Sequence, residues 1–403
     1  MDKTVCIISH QHLCRNPRVL KECIALTKLS YSITILTNVY NASLLEEDYR
    51  LIAAHQINYI FYNNLINKNL TSFKNRFFNK VARYVNRIGV ENKWALGYAP
   101  KKCLAMALAQ NADLYICHQE LPTYVGTQLI KKDKKVAFDF EDFYSEDLLT
   151  KDRKYRPQDI LEQAERLAIE KGKLCYTTST AMASELSKKY RSAQKLEVIY
   201  NSFNSFHNLY YQIEKNKKVI KLIWISQTIG PGRGLEKFLE AINNIEKFNL
   251  EINLRGNVSN DYKQTLTSLL INPNHKINFL PLLPSNEIQK DLIKYDIGLA
   301  MEPNYPPNKN LTISNKAFHY LSAGLPVIAS STLGQLSLKK DFEDGISFFK
   351  NKKELVEILS NLEKSELRRK SKQIKSIYAA KYDWSIIEKK LLNLVAKALN
   401  QND

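Results

Sequence analysis

The chain has 403 residues, 44% of them hydrophobic, and a formal net charge of +18. That is enough apolar material for a packed core and, at roughly 150 residues per domain, enough length for two domains. No apolar run approaches the ~20 residues of a membrane span, and six cysteines without a C-x-x-C pair argue against a zinc site or a disulfide framework and for a reducing cytoplasm.

Strand-like runs fall at Val5–Ser9, Ser32–Thr37, Ile57–Tyr62, Leu114–His118, Val136–Phe140, Leu174–Thr178 and Leu196–Tyr200, with helical stretches between most of them. This alternation predicts an α/β fold with a parallel sheet covered on both faces. Met1-Asp2-Lys3-Thr4 leads straight into the first strand without the pattern of a secretory leader. His10 and His12 follow that strand. Asn16-Pro17-Arg18 then opens a helix, Pro17 in the manner of an N1 proline.

From Tyr49 to Val90 there is no Asp or Glu. Within that stretch Leu70, Phe73, Phe77, Val81, Tyr84, Val85 and Ile88 recur at helical spacing, and Lys74, Arg76, Lys80, Arg83 and Arg87 take complementary positions. A basic amphipathic helix with aromatics on its apolar side binds an anionic membrane surface. The same pattern describes a domain helix whose apolar side faces the core and whose cations are solvated, and both readings stay open. A nucleic-acid partner is disfavoured, because no Arg/Gly-rich segment, RNP-type pattern or helix-turn-helix accompanies the charge.

His118 closes the fourth run, and Glu141 and Asp142 follow the fifth. If the chemistry needs a strong base, either carboxylate is the natural candidate, with a pKa raised by burial; if it does not, Glu141 would only position a hydroxyl group. His118 reads equally as a catalytic or a buried structural histidine. Asp139-Phe140-Glu141 is only loosely like an Asp-x-Asp metal motif, and no metal site is expected. Asn201–Lys218, polar and aromatic without period, breaks the rhythm and reads as an interdomain connection.

Beyond it, runs at Lys221–Ser226, Leu250–Arg255, Ile277–Leu280, Ile297–Met301, Pro326–Ser330 and Ile346–Phe349 predict a second sheet. Three of the chain's 12 glycines fall within Gly230-Pro231-Gly232-Arg233-Gly234, between the first of these strands and a helix from Leu235. Thr312-Ile313-Ser314-Asn315-Lys316 precede a helix that stops at Gly324, with Pro326 beginning the next strand. Hydroxyls, an amide and a cation thus stand where free N–H groups of a helix start meet an anion. Two such junctions predict a nucleoside-diphosphate site. Ser314 also reads as a plain N-cap, which is compatible with that role.

The order of these motifs resembles the GT-B glycosyltransferases, most closely the large retaining family numbered four, over roughly residues 4 to 385. Arg233-Gly234 stands where that family has Lys-Gly, and His319…Gly324-Leu325-Pro326-Val327 matches its Glu-containing helix ending in Gly-x-Pro-Val. Asn16–Glu22, Ala112–His118 and Ala137–Asp142 resemble its N-terminal elements. The resemblance implies two Rossmann-like, doubly wound domains facing a central cleft. Residues 1–200 would bind the acceptor, 201–380 the nucleotide sugar, and 381–403 would return towards the first domain as a helix from about Trp384 to Leu399.

By the same resemblance, Gly232, Arg233, Gly234, Glu302, Ser314, Asn315, Lys316 and His319 form the donor site, Arg233 neutralising the pyrophosphate. Glu141, Asp142 and His118 serve the reaction, His12 and Arg18 lie on the acceptor side or its loop, and Arg18 is a candidate for contact with donor phosphate or acceptor. His319 departs from the family's ribose-binding Glu, Leu311 stands where its second Glu is expected, and Glu302 is the available replacement.

The implied function is transfer of a sugar from a nucleotide-diphosphate donor, a UDP-sugar as co-substrate with no further cofactor, to a glycan or lipid-linked acceptor. The setting would be bacterial surface polysaccharide or lipopolysaccharide assembly, in the cytoplasm or peripherally at the inner membrane face. Two alternatives remain. The fold could use a CMP-sugar or invert configuration with Glu141 or Asp142 as base, or it could be a degenerate, non-catalytic glycan- or membrane-binding protein.

Overall fold

A computed structural model describes residues 3–192, 196–206 and 218–400. The strands of the first half are β1 (Thr4–Ile8), β2 (Ser32–Val39), β3 (Ile57–Asn64), β4 (Leu114–His118), β5 (Val136–Phe140), β6 (Leu174–Thr177) and β7 (Glu197–Val198). They form one parallel sheet in the order β3-β2-β1-β4-β5-β6-β7. Register is fixed by pairs such as Ile7↔Ile35 on one side of β1 and Ile7↔Ile116 on the other. Every residue of β4 and β5 is buried, which is why these strands read as continuous apolar runs rather than alternating ones.

The second half supplies β8 (Val219–Thr228), β9 (Asn249–Asn257), β10 (Lys276–Leu280), β11 (Ile297–Ala300), β12 (Val327–Ser330) and β13 (Ile346–Phe349), again parallel, in the order β10-β9-β8-β11-β12-β13. Its core has two layers. Leu222, Trp224, Phe238, Leu239 and Leu254 lie on one side, and Ile223, Phe318, Tyr320, Leu321 and Val327 on the other. Gly298 of β11 lets the Tyr320 ring lie against the strand, since a Cβ there would come within 2.3 Å of it. The Tyr320 hydroxyl accepts from the Ile225 N–H at 3.1 Å and donates to the Leu299 carbonyl at 3.3 Å, tying helix Asn315–Ser322 to both strands.

All thirteen expected strands are present, most with ends shifted by one or two residues, and two of these changes have a visible cause. β8 runs on to Thr228 because it keeps pairing with β9 beyond a register shift, at Thr228↔Asn257. β7 is only two residues long, because the Ile199 carbonyl leaves the ladder to accept from Arg18 Nη1 at 2.8 Å.

Two compact units result, Met1–Ile199 with Glu388–Asp403, and Tyr200–Ile387. Of the connecting segment Asn201–Lys218, residues 207–217 lie outside the described part. In its described portion the Tyr378 hydroxyl donates to the Phe203 carbonyl at 3.0 Å, and Asp383 Oδ2 accepts from the Ser205 N–H at 2.6 Å. The last helix, Trp384–Asn400, begins in the second unit, where the Trp384 N–H donates to the Phe203 carbonyl. From Glu388 it belongs to the first, where Lys28 Nζ meets Glu388 at 2.7 Å. No helix among the described residues is long and apolar enough to cross a membrane.

Candidate active site

Each sheet reverses its direction of winding once, between β1 and β4 in the first unit and between β8 and β11 in the second. In open α/β sheets ligands bind at the carboxyl ends of the strands beside that switch point.

In the second unit, β8 runs into Ile229 and the glycine loop. Gly232 and Gly234 have φ of +75° and +81°, a left-handed backbone that explains glycine at these positions. Arg233 between them is exposed, its Nη1 donating to Ser226 Oγ at 3.3 Å. Gly234 comes against the end of β11, where a Cβ on it would lie 3.7 Å from Met301 Cβ. The next residue is Glu302. Its carboxylate accepts from Ser314 Oγ at 2.7 Å and pairs with Lys316, and its backbone exchanges hydrogen bonds with Ser330 Oγ at 2.8 Å. Burial alone would raise the Glu302 pKa, yet Lys316 and the Ser314 hydroxyl hold it below the ordinary carboxylate value. Lys316 Nζ also sits 5.4 Å from the centroid of the buried Trp224 ring of β8.

Arg233, Glu302, Ser314 and Lys316, distant in sequence, therefore gather at the β8/β11 switch. Ser314 occupies the N-cap position of helix Asn315–Ser322, but its hydroxyl is committed to Glu302 rather than to the helix. Asn315 is exposed, its Oδ1 accepting from Asn201 Nδ2 at 3.1 Å. His319 is half-buried, its ring stacked on Phe203 with centroids 3.7 Å apart. That partner was not legible in sequence, since Phe203 lies in the connecting segment.

In the first unit the structure separates residues that the sequence grouped together. His12 is fully buried, with Nδ1 at 2.6 Å from Asp48 and Nε2 accepting from the Tyr40 and Asn41 N–H groups. It organises a loop. Arg18 is buried and bidentate to Asp139, at 2.5 and 2.9 Å, and presents no free face to a ligand.

His118 lies in the same network, 3.0 Å from Glu141, 3.3 Å from Asp139 and 3.0 Å from Glu22, which also accepts from the Tyr176 hydroxyl. Burial would lower the His118 pKa, but the Glu141 and Glu22 carboxylates outweigh it and push it up to about 10. His118 is thus an imidazolium at neutral pH.

Glu141 corrects an expectation. Burial raises its pKa, but the hydrogen bond and charge of His118, with Asn16 Nδ2 at 2.8 Å, bring it below the ordinary value. It is a weak base rather than an activated one. Asp142 is half-buried on the loop beyond it. Glu22, His118 and Asp139 offer three donor atoms within 4.8 Å of one another, a possible metal set by distance. Here those atoms face one another, Arg18 and Tyr176.

The open space of this unit lies elsewhere. A cleft of about 710 Å³ opens at the carboxyl ends of β1, β2 and β3, lined among others by His10, Tyr40, Tyr62, Arg76, Arg83 and Glu120. His10 Nε2 stands 3.6 Å from Glu120, which Arg156 meets at 2.8 Å. Burial pushes the neighbouring Asp147 carboxyl up to about 7, Glu120 and Asp142 adding to that rise and Arg156 opposing it. Gln119, at φ +73°, accepts through Oε1 from the Ser9 hydroxyl at 3.1 Å and the His10 N–H at 3.0 Å, binding the β1 loop to the end of β4. Arg76 and Arg83, grouped in the sequence with a membrane-facing set, turn towards the cleft. Glu120, Tyr40 and Tyr62 carried no sequence signal, because chain-distant elements bring them together.

No protein-family model matches the sequence, and no curated protein matches it. Solved structures do. Anabaena HepE, crystallised with UDP and glucose, superposes with a TM-score of 0.66 at 15% identity, over 98% of this chain and 100% of that one. A glycosyltransferase from Rickettsia africae gives 0.64 at 14% identity over 100% of both chains. WaaG, a glycosyltransferase of lipopolysaccharide biosynthesis, gives 0.53 at 13% identity, over 99% of this chain and 100% of that one. The fold is GT-B. Identities this low establish the GT-B architecture and leave the activity to the site itself.

Proposed function

We propose that this chain is a glycosyltransferase that takes a sugar from a nucleoside-diphosphate donor, a UDP-sugar, and passes it to a glycan or lipid-linked acceptor. The carrying observation is the gathering at the β8/β11 switch of an exposed arginine on a left-handed glycine loop with Glu302, Ser314 and Lys316. Arg233 and the start of helix Asn315–Ser322 supply positive charge for a pyrophosphate. Stabilising the departing diphosphate is then electrostatic work done by groups already in place.

Glu302 holds Lys316 and Ser314 in position and stands in for the carboxylate missing at Leu311. The cleft of the first unit, with its tyrosines, Arg76 and Arg83, suits an acceptor carrying both sugar rings and negative charge. A Glu141 with a depressed pKa is poorly suited to deprotonate an acceptor, which favours retention of configuration over inversion. Assembly of bacterial surface polysaccharide or lipopolysaccharide, on the cytoplasmic side, is the setting this chemistry fits.

A second reading has one observation in its favour. The His319 ring is spent on Phe203, so the ribose side of the site differs from a carboxylate-lined one, as a CMP-sugar enzyme would allow. Thermal melting with UDP, GDP, ADP, dTDP, CDP and CMP separates the readings. At about 100 times its dissociation constant a ligand stabilises by roughly 2.7 kcal/mol, a shift of a few degrees. The proposal expects the largest shift with UDP. A shift with CMP alone selects the second reading, and no shift with any nucleotide contradicts both.

A further inference from the structure

Helix Leu70–Asn86 is amphipathic in reverse. At about 100° per residue, Ser72, Asn75, Ala82 and Asn86 fall on one side and are buried. Leu70, Phe73, Phe77, Val81 and Tyr84 fall on the opposite side and are exposed, Leu70 by 87%, Phe73 by 69% and Tyr84 by 64%. Ile88 and Val90, just beyond, extend the same patch.

The inner side is held by polar contacts. Asn75 Nδ2 donates to Asn63 Oδ1 at 2.6 Å, and Asn63 Nδ2 to Asn38 Oδ1 at 2.8 Å. Asn79 Nδ2 donates to the Trp94 carbonyl at 2.6 Å, and Asn86 Nδ2 to the carbonyls of Lys154 and Arg156 at 3.1 and 2.7 Å. The helix is therefore anchored with its apolar residues outward, and they stand together on one face.

A contiguous exposed apolar patch marks an interaction surface, and the flanking charge selects the partner. Lys74, Lys80 and Arg87 border the patch, all exposed, and no residue from Tyr49 to Val90 is acidic. A second copy of this face would set cations against cations. A bilayer with negative headgroups takes the aromatic and aliphatic side chains at its acyl boundary while the long cations reach back to phosphate.

We propose that helix Leu70–Asn86, with the turn through Val90, seats this unit on an anionic lipid bilayer. Arg76 and Arg83 belong to the cleft on the flank of the same helix, so seating it brings that cleft to the lipid surface.

The test is sedimentation of the full chain with vesicles of phosphatidylcholine alone or mixed with phosphatidylglycerol. Expected is binding to the mixed vesicles, at least about tenfold weaker binding to phosphatidylcholine alone, and loss of binding as salt rises. A Phe73→Ser/Tyr84→Ser/Ile88→Ser variant should lose binding about tenfold or more with an unchanged melting temperature, as should Lys74→Glu/Lys80→Glu. The charge-reversed variant and the salt series decide the matter if the apolar variant melts lower. Absence of binding to mixed vesicles, equal binding by wild type and charge-reversed variant, or a wild-type dimer that the apolar substitutions make monomeric would each overturn the proposal.

Discussion

His118 shows how far a residue's chemistry departs from its type. An isolated histidine is a neutral-pH switch, but Glu22, Asp139 and Glu141 around this one keep it charged. Its pKa rises from 6.5 to about 10 on folding, so its contribution to stability is complete below pH 6.5 and disappears as pH climbs through 10. The melting temperature of wild type should exceed that of His118→Gln most below pH 6.5, and the gap should close towards pH 10. A gap independent of pH would mean that the histidine is not charged in the fold. The ends of two strands, where His118 and Glu141 stand, are legible in the sequence, but their mutual neutralisation is not. The partners Glu22 and Arg18 come from helix Pro17–Thr27, and only the β1/β4/β5 packing brings them there.

At the scale of elements, the strands were legible because parallel strands buried on both faces need unbroken apolar runs. The glycine loop was legible because a left-handed backbone leaves a compositional trace. Helix Leu70–Asn86 was legible in extent and ambiguous in orientation. Periodicity locates an apolar stripe and is silent on whether the stripe faces the core or the solvent, and here the asparagines decide. Asn86→Ala removes both donors to Lys154 and Arg156 and leaves those carbonyls without them. It should lower stability by about 1–3 kcal/mol in denaturant melts. Leu70→Ser on the other side should change it by less than about 0.5 kcal/mol. Equal losses at the two positions would show that the apolar side is the packed one.

For the whole molecule, the two units share one winding, with the switch point beside the first strand of each sheet. That repetition explains why motif order carried more information than any single motif. The first unit's cleft escaped the sequence because its lining comes from several strand ends and from helices far apart in the chain. The second unit's site was largely readable because each half is a local strand–loop–helix junction, and only the link through Glu302 and the stacking of His319 needed three dimensions.

The proposed function depends on that second site holding a diphosphate. Isothermal titration of UDP and UMP into wild type and Arg233→Ala tests it directly. UDP should bind wild type at least about tenfold more tightly than UMP, as expected when a charged hydrogen bond to the second phosphate contributes about 1.5 kcal/mol or more. Arg233 is exposed and, among the described residues, hydrogen-bonds Ser226, so its removal should leave the melting temperature unchanged and abolish the difference between the nucleotides. Equal affinity of wild type for UDP and UMP, or a preference that survives Arg233→Ala undiminished, would contradict the assignment of the β8/β11 switch as a pyrophosphate site.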